Sequence, residues 1–504
     1  MTDFAQAGLD ARQLGHLRHF ANLSRKLPND WSLMEGRSVG QEDFGGYRFQ
    51  LAYMMYAIGL AHVHRLPAAP GFFKATYRRL FEKLLLPEVW SYWRDVSRGG
   101  SIFNAHLVSG YAEEWDPVRR DNIMYSAYVQ SCALLYHYLF QDDRYAQPGA
   151  IAFRQWSYFW GGAPKEFLYD EDSLSDHVYW LMAQNGFLGV ACEPNCVFQI
   201  CNQPAILGFR LHDMIHGGSR AEEVVRGYEA AWADFGRTDQ NGHFFVMISE
   251  DTHVVRSNGL GSPWVDAWTG ALMNMWNRDL VRERYPRQRD SLIVGGPDGT
   301  MSIRVPERPQ VMGQTIVSDD CDFGWVTAWT SELGDAATLG GLLAHADRYM
   351  RPTLIDGGLH YPRNDVAEDA AGNRTLVEPH TGNVLLGYAR LNVPDGLWRL
   401  FNRPLEAEHF ARPALVEVGD GVAVHRAVHV GDALEFDVQL SWSGSRGITI
   451  GRLPPDAAWR LTCDGEEVVS SSSADGTWGA SMEGSHMSFS CPEGAKRSFV
   501  LHVQ

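Results

Sequence analysis

The stretch Asn122 to Phe140, NIMYSAYVQSCALLYHYLF, is nearly apolar on every side at helical spacing. A helix hydrophobic all round has no face to offer to water, so it belongs in the interior of a large helical assembly. Similar apolar helices are predicted over Tyr47–His64, from Pro194 to His216, from Pro263 through WVDAWTGALMNMW, over Asp322–Leu333 and over Thr381–Asn392. Turns at Gln141-Asp142-Asp143, His216-Gly217-Gly218, Asn277-Arg278-Asp279 and Leu333-Gly334-Asp335 lead on to amphipathic helices. These include Pro148–Trp160, Arg220–Phe235 and Thr338–Arg348. Inner apolar helices alternating with outer amphipathic ones predict an α/α toroid. An α-solenoid is the alternative, with more regular spacing.

The texture changes near residue 405. LVEVGDGVAVHRAVHVGDALEFDVQLSW alternates at period two between Gly-Asp turns, which predicts a small β-domain of sandwich type. The boundary falls between Asn402 and Pro413. The expected division is an N-terminal extension over 1–44 that is peripheral to the fold, a helical domain over 45–403 and a β-domain over 404–504.

Composition excludes several classes. A net charge of −17 over 504 residues repels nucleic acid and anionic membranes, and no basic run tracks phosphates. No window approaches the roughly 18 uninterrupted apolar residues of a membrane span. The N-terminus lacks the charged-then-apolar pattern of a signal peptide. The seven cysteines are odd in number and lack the spacing of a disulfide framework, which fits free thiols in a reducing cytoplasm. GxGxxG at a strand–helix junction, GxxxxGK[ST], HExxH and GxSxG are absent, which removes support for nucleotide binding, zincin chemistry and the α/β-hydrolase elbow.

Chemistry concentrates in GVACEPNCVFQICNQPAILG, Gly189 to Gly208. It carries Cys192, Glu193, Cys196, Cys201 and Asn202. With Pro194 in a first helical turn, Cys192 would precede a helix N-terminus, which favours thiolate. The adjacent Glu193 carboxylate opposes that ionisation. Zinc is an alternative, but spacings of four and five lack the two-pair pattern of structural zinc sites. Met124 and Tyr128 lie one turn apart on one helix face, with Tyr125 adjacent. Asp266, in WVDAW between Trp264 and Trp268, reads either as a paired structural carboxylate or as a general acid with a raised pKa. Asp43 and Tyr47 precede and open the first long helix. His106, His360 and His380 fall in loops, and Asp319-Asp320-Cys321-Asp322 reads as a solvated charge run and helix cap.

Three blocks resemble the linalool dehydratase-isomerase family: CEPN-x5-CN at Cys192 to Asn202, DNIMY at Asp121 to Tyr125, and SPWVDAWTGA at Ser262 to Ala271. Weaker similarity runs through YAIGLA and RPTLIDGGLHY, and the resemblance spans roughly Tyr47 to Arg403. It implies an (α/α)6 barrel, often oligomeric, that acts on terpene alcohols without metal or organic cofactor. By position, Cys192 and Cys201 fall on the family's two active-site cysteines and Met124 on a methionine lining the substrate site. Tyr128 stands where the family has an acid–base histidine, and Trp268 where it has a tyrosine. Asp43 and Tyr47 are the candidates for its N-terminal aspartate.

The expectation is a cofactor-independent lyase or isomerase that dehydrates, isomerises or cyclises a small isoprenoid-like alcohol or alkene. Cys192, Glu193, Cys201, Tyr128, Asp266 and Asp43 form its expected polar wall. Asp266 or Glu193 would be the acid, and a cysteine or Tyr128 the proton acceptor. Met124, Tyr125, Tyr47, Asn202, Trp264 and Trp268 would line the substrate. The rivals are a polysaccharide lyase or glycoside hydrolase on an α/α toroid, with tryptophans stacking on sugars, and a non-catalytic protein that binds an apolar ligand.

Overall fold

In a computed structural model, residues 3–36, 45–99, 104–107, 111–159, 162–259, 261–305, 310–311, 314–315, 322–454, 457–471 and 477–503 are described. The longer helices are α1 (Ala11–Arg25), α2 (Tyr47–His64), α3 (Pro70–Leu84), α4 (Ile123–Phe140), α5 (Glu171–Gln184), α6 (Gln203–His216) and α7 (Arg220–Ala233). They continue with α8 (Pro263–Met273), α9 (Arg278–Leu292), α10 (Asp322–Leu333), α11 (Ala336–Tyr349) and α12 (Leu386–Leu391), the last preceded by a π-helical turn, Thr381–Leu385.

Their packing follows the hydrophobic pattern. Apolar α2 lies against α4, α4 against α6, α6 against α8, α8 against α10, α10 against α12, and α12 returns to α2. The odd-numbered helices pack outside these: α3 on α2 and α4, α5 on α4 and α6, α7 on α6, α9 on α8, α11 on α10, and α1 on α12 and α3. α4 is buried along almost its whole length, as a helix without a polar face must be. Polar-faced α7 and α9 leave most of their residues in contact with solvent.

Several local expectations change. Residues 3–36 are not peripheral. α1 starts at a capping box made by Asp10 and Gln13 and buries Phe20 and Leu23. The segment expected as a helix over Pro148–Trp160 contains a strand, Ile151–Gln155, paired with Lys165–Tyr169; Ile151 and Phe153 alternate inward behind a turn at Gly149. Nor does a helix begin at Pro194. A short strand, Cys196–Phe198, and a 3-10 turn, Ile200–Asn202, intervene before α6, where Pro204 occupies the first turn. Gly242–Glu250 forms a strand only over Met247–Ser249. No helix among the described residues is long and apolar enough to cross a membrane.

Beyond residue 413 the chain forms two antiparallel sheets from β1 (Ala414–Val418), β2 (Val422–Val430), β3 (Ala433–Leu440), β4 (Gly447–Gly451), β5 (Trp459–Cys463), β6 (Glu466–Ser470), β7 (Ser481–Glu483), β8 (His486–Ser490) and β9 (Arg497–Val503). One has the order β1-β4-β8-β7 and the other β2-β3-β9-β5-β6. Phe436 and Phe499 stack at 4.9 Å within one sheet, and Phe489 of the other meets Phe499 at 5.3 Å. The β region is fastened to the helices through backbone. Leu415 N–H donates to Ala68 carbonyl at 2.9 Å, and Leu9 N–H to His425 carbonyl at 2.7 Å.

That fastening needs glycine at position 71. A Cβ there would sit 2.3 Å from the Val416 carbonyl carbon and 2.5 Å from the Glu417 nitrogen, contacts with backbone that no rotamer change relieves. Gly71→Ala is expected to destabilise the protein by about 2 kcal/mol or more, measured by urea denaturation. An unchanged midpoint would contradict this account of the junction.

Candidate active site

The cysteine segment is held at the N-terminus of α4. Asp121 and Asn122 both adopt left-handed backbone (φ 49° and 56°), which turns the first free N–H groups of the helix toward it. Asn122 N–H donates to the Cys192 carbonyl at 3.1 Å and Ile123 N–H to the Ala191 carbonyl at 3.2 Å. These bonds satisfy helix donors that have no partner within the helix. Asn202 clamps the same segment: its Oδ1 accepts from Val190 N–H at 2.8 Å and its Nδ2 donates to the Val190 carbonyl at 3.1 Å. Gly189 (φ 123°) passes so close that a Cβ would meet the Asn202 side chain at 2.7 Å. Asn202 is thus occupied by backbone, and its expected place on the substrate wall is corrected to a structural one.

Cys192 and Cys201 are both buried. Burial raises both thiols, and the interaction between the two raises Cys192 further while lowering Cys201. A low-dielectric setting penalises the charged form, and this acts against a thiolate in the same direction as the Glu193 carboxylate. Cys196 points elsewhere, taking an amide hydrogen from Asn104 at 3.1 Å, and burial pushes its thiol up to about 12. Cys132, Cys192, Cys196, Cys201, Cys463 and Cys491 are all free and buried. Glu193 is half-buried beside Cys196, bridged to it through backbone. Arg48, buried in the first turn of α2, lies 4.1 Å from the Tyr92 ring centre and acts electrostatically on both Cys192 and Cys201.

Cys201 acts electrostatically on Tyr53 and Tyr128, which belong to an aromatic enclosure built by the even-numbered helices. Tyr53 of α2 takes a hydrogen bond from Trp268 Nε1 of α8 at 2.6 Å. Trp268 stacks on Trp325 of α10 at 4.3 Å. Phe49 stands edge-on to Tyr128 at 5.9 Å and to Trp268 at 5.5 Å. The Tyr128 hydroxyl is buried beside Tyr53 with no well-formed hydrogen-bond partner among the described residues, and burial raises its pKa well above the ordinary value. Met124 is buried one turn earlier on α4, and Trp264 is buried 6.2 Å from Trp268.

His380 completes the enclosure. It lies immediately before the π-helical turn, whose N–H groups are capped by Glu378; the His380 N–H donates to Glu378 at 2.5 Å. Its ring sits 5.5 Å from Tyr53, 5.4 Å from Trp325 and 6.2 Å from Phe49. It is wholly buried, and neither ring nitrogen has a partner among the described residues. Burial alone pushes its pKa down to about 3. The sequence placed His380 in a polar loop beside His106 and His360. His106 is indeed exposed, 3.2 Å from Asp251, while His360 is buried and stacked on His19. The signal for His380 was its place before the apolar run TGNVLL, which puts it at the inner end of a buried helix.

Other expected residues lie away from this cluster. Asp266 is fully buried, but two residues from Trp268 on a helix is about 200° around the axis. Its carboxylate faces outward, 2.5 Å from His243 Nδ1, 2.8 Å from Phe244 N–H and 3.2 Å from Gln288 of α9. Its hydrogen bonds are those of the paired structural carboxylate, while burial raises its pKa as the acid reading requires. Tyr125 points outward to the Leu84 carbonyl at 2.8 Å, and Tyr47 stacks on Trp31 at 4.2 Å at the rim. Asp43, Asp319, Asp320 and Cys321 lie outside the described residues. Asp322, far from being solvated, is buried and accepts from Trp264 N–H at 2.7 Å.

His380 carries a consequence for acid stability. Its pKa is depressed to about 3 in the folded state, against about 6.5 unfolded. The unfolded chain therefore binds one more proton in that window, and stability is lost as pH falls from about 6.5 toward 3. His19, held near 3, and His62 and His64, held near 4, act in the same direction. His380→Phe is expected to make the fall of unfolding free energy between pH 6 and 4 shallower by about one proton, or roughly 1.4 kcal/mol per pH unit. An unchanged slope in denaturant titrations would show that His380 is not buried neutral.

Comparisons with known proteins bear on this site. Among solved structures, the α-1,6-mannanase GH76A of Salegentibacter sp. HEL1_6 matches at 12% identity, covering 78% of this chain and 100% of that one, with a TM-score of 0.40. The Lin0763 protein of Listeria innocua matches at 10% identity over 76% of this chain and 97% of that one, with a TM-score of 0.40. The family model for linalool dehydratase/isomerase matches residues 48–367. That span contains Arg48, Phe49, Tyr53, Tyr128, both thiols of the buried pair and Trp268, and the chain belongs to the linalool dehydratase/isomerase family.

Proposed function

We propose that this chain is a cofactor-independent acid–base lyase or isomerase acting on a terpenoid or similar apolar alcohol or alkene. Family membership supports a lyase or isomerase. The observation that carries the finer reading is the pairing of two protonated buried thiols with an aromatic enclosure that holds a neutral, partnerless imidazole.

The chemistry suits that arrangement. Dehydration of a tertiary or allylic alcohol needs a proton delivered to the hydroxyl, cleavage of the C–O bond with loss of water, and removal of a proton from a carbon next to the cation. Glu193 is the proposed acid, with Cys192 and Cys201 passing the proton. The developing cation is stabilised by the faces of Phe49, Trp268 and Trp325. His380 accepts the departing proton on a ring nitrogen that is free among the described residues. A neutral imidazole too weakly basic to protonate in the free protein still takes a proton from a carbocation, which is a far stronger acid. Return of water at another carbon gives isomerisation, and attack by a second double bond gives cyclisation. Exclusion of water keeps the cation from being quenched at random.

The proposed architecture is an (α/α)6 toroid made of α1 to α12, with a separate β-domain after residue 403. Its support is the closed order of packing among the even-numbered helices. Residues 11–25 then supply the sixth outer helix.

The test is turnover of linalool and longer allylic alcohols by the purified chain, followed by gas chromatography with mass detection. Cys192→Ala, Cys201→Ala and His380→Gln are each expected to lower kcat by about 100-fold or more, with smaller effects on KM. Full activity in all three variants would remove this site. Release of sugars from glycans with no alcohol turnover would favour the carbohydrate reading, and a co-purifying lipid without turnover would favour a binding protein.

A further inference from the structure

At the far end of α4 from the thiols, three histidines on two helices converge on the first turn of a third. His137 lies in the last turn of α4; His212 and His216, four residues apart, share one face of the last turns of α6; Glu171 and Asp172 open α5. His137 Nδ1 is 2.6 Å from Glu171 Oε1, and His216 Nε2 is 3.4 Å from the same oxygen. His216 Nε2 is 3.5 Å and His212 Nε2 3.1 Å from Asp172 Oδ1. The donor atoms of His137, Glu171 and His216 all lie within 4.8 Å of one another, as do those of Asp172, His212 and His216.

Glu171 is 0% exposed, and its second oxygen, Oε2, has no partner among the described residues. A buried carboxylate oxygen left unpaired is costly. A cation held by both oxygens of this carboxylate would engage Oε2 as well as the Oε1 that faces His137 and His216. The surroundings favour one: the C-terminal ends of α4 and α6, which carry partial negative charge, both point here, and Asp142 and Asp143 act electrostatically on His137. Arg220, which bonds Asp176 at 2.7 Å, and the N-terminus of α5 are the opposing positive features. Tetrahedral zinc with ligand bonds near 2.0–2.1 Å has ligand–ligand edges of about 3.3 Å. Within the triad of His137, Glu171 and His216 the His216–Glu171 separation is 3.4 Å and the His137–Glu171 separation 2.6 Å, so the latter pair must open to admit an ion. The separations of 3.1 and 3.5 Å belong to the second triad, Asp172, His212 and His216, which shares His216.

We propose that His137, Glu171 and His216 bind a divalent transition metal of the Zn2+ class, with His212 and Asp172 closing its open side. The pair His212 and His216 is a helical HxxxH, and the two carboxylates supply the hard ligands that accompany imidazole at such sites. Its role is structural. His137 lies nine residues along α4 from Tyr128, about 13 Å at 1.5 Å per residue, too far to touch a substrate in the aromatic enclosure. The metal would instead lock the ends of α4 and α6 to the start of α5.

The experiment uses tag-free protein stripped with EDTA and dialysed, then titrated calorimetrically with ZnCl2. One Zn2+ per chain is expected, with a rise in thermal midpoint. Glu171→Gln and His216→Ala are each expected to weaken binding by more than about tenfold and to abolish the thermal shift. Zinc-edge X-ray absorption of the wild-type complex should show nitrogen and oxygen ligands only, a readout that stands even if a variant folds poorly. Absence of stoichiometric uptake, uptake that persists in a His137→Ala/His216→Ala double variant, or sulfur in the coordination shell, which would place the ion at the cysteine segment, would each overturn the proposal.

Discussion

The hydrogen bonds from Asn122 and Ile123 N–H to the Cys192 and Ala191 carbonyls are the constraint on which the site depends. Each helix end leaves backbone donors that must be satisfied when buried. Here the donors of the central apolar helix are satisfied by the segment that carries the thiols. The left-handed pair Asp121-Asn122, the Asn202 clamp and the unsubstituted Gly189 all serve that contact. Two blocks some seventy residues apart in sequence are thereby one structural unit.

Burial then sets the chemistry. The same low-dielectric interior keeps both thiols protonated, His380 neutral and Tyr128 un-ionised. Tyr128 and the imidazole of His380, which lies immediately before the π-helical turn that leads into α12, both stand against Tyr53. The His380 ring lies among Phe49, Tyr53 and Trp325.

Much was legible in the chain. The all-apolar segment at 122–140, the alternation with polar-faced helices and the period-two texture after 405 led to inner helices, outer helices and two sheets, because burial patterns are written directly in residue order. The thiol segment and Trp268 were legible as well. The failures have physical reasons. Asp266 and Trp268 share one motif, yet 200° of helical rotation sends them to opposite sides of α8. Asn202 has the polarity of a ligand-binding residue but is taken up by the backbone of Val190. The helix expected from Pro194 was displaced because Cys196–Phe198 pairs with Met247–Ser249, a partner fifty residues away.

The sequence by itself therefore determined which segments are buried, where the chain changes from helices to strands, and the family to which it belongs. Tertiary structure alone decided which polar groups face one another. His380 and the His137–Glu171–His216 cluster are each assembled from positions more than thirty residues apart, and local periodicity holds no information on such distances. What a residue does here depends on its partners across the interior, and those partners are supplied by the closure of the helices around it.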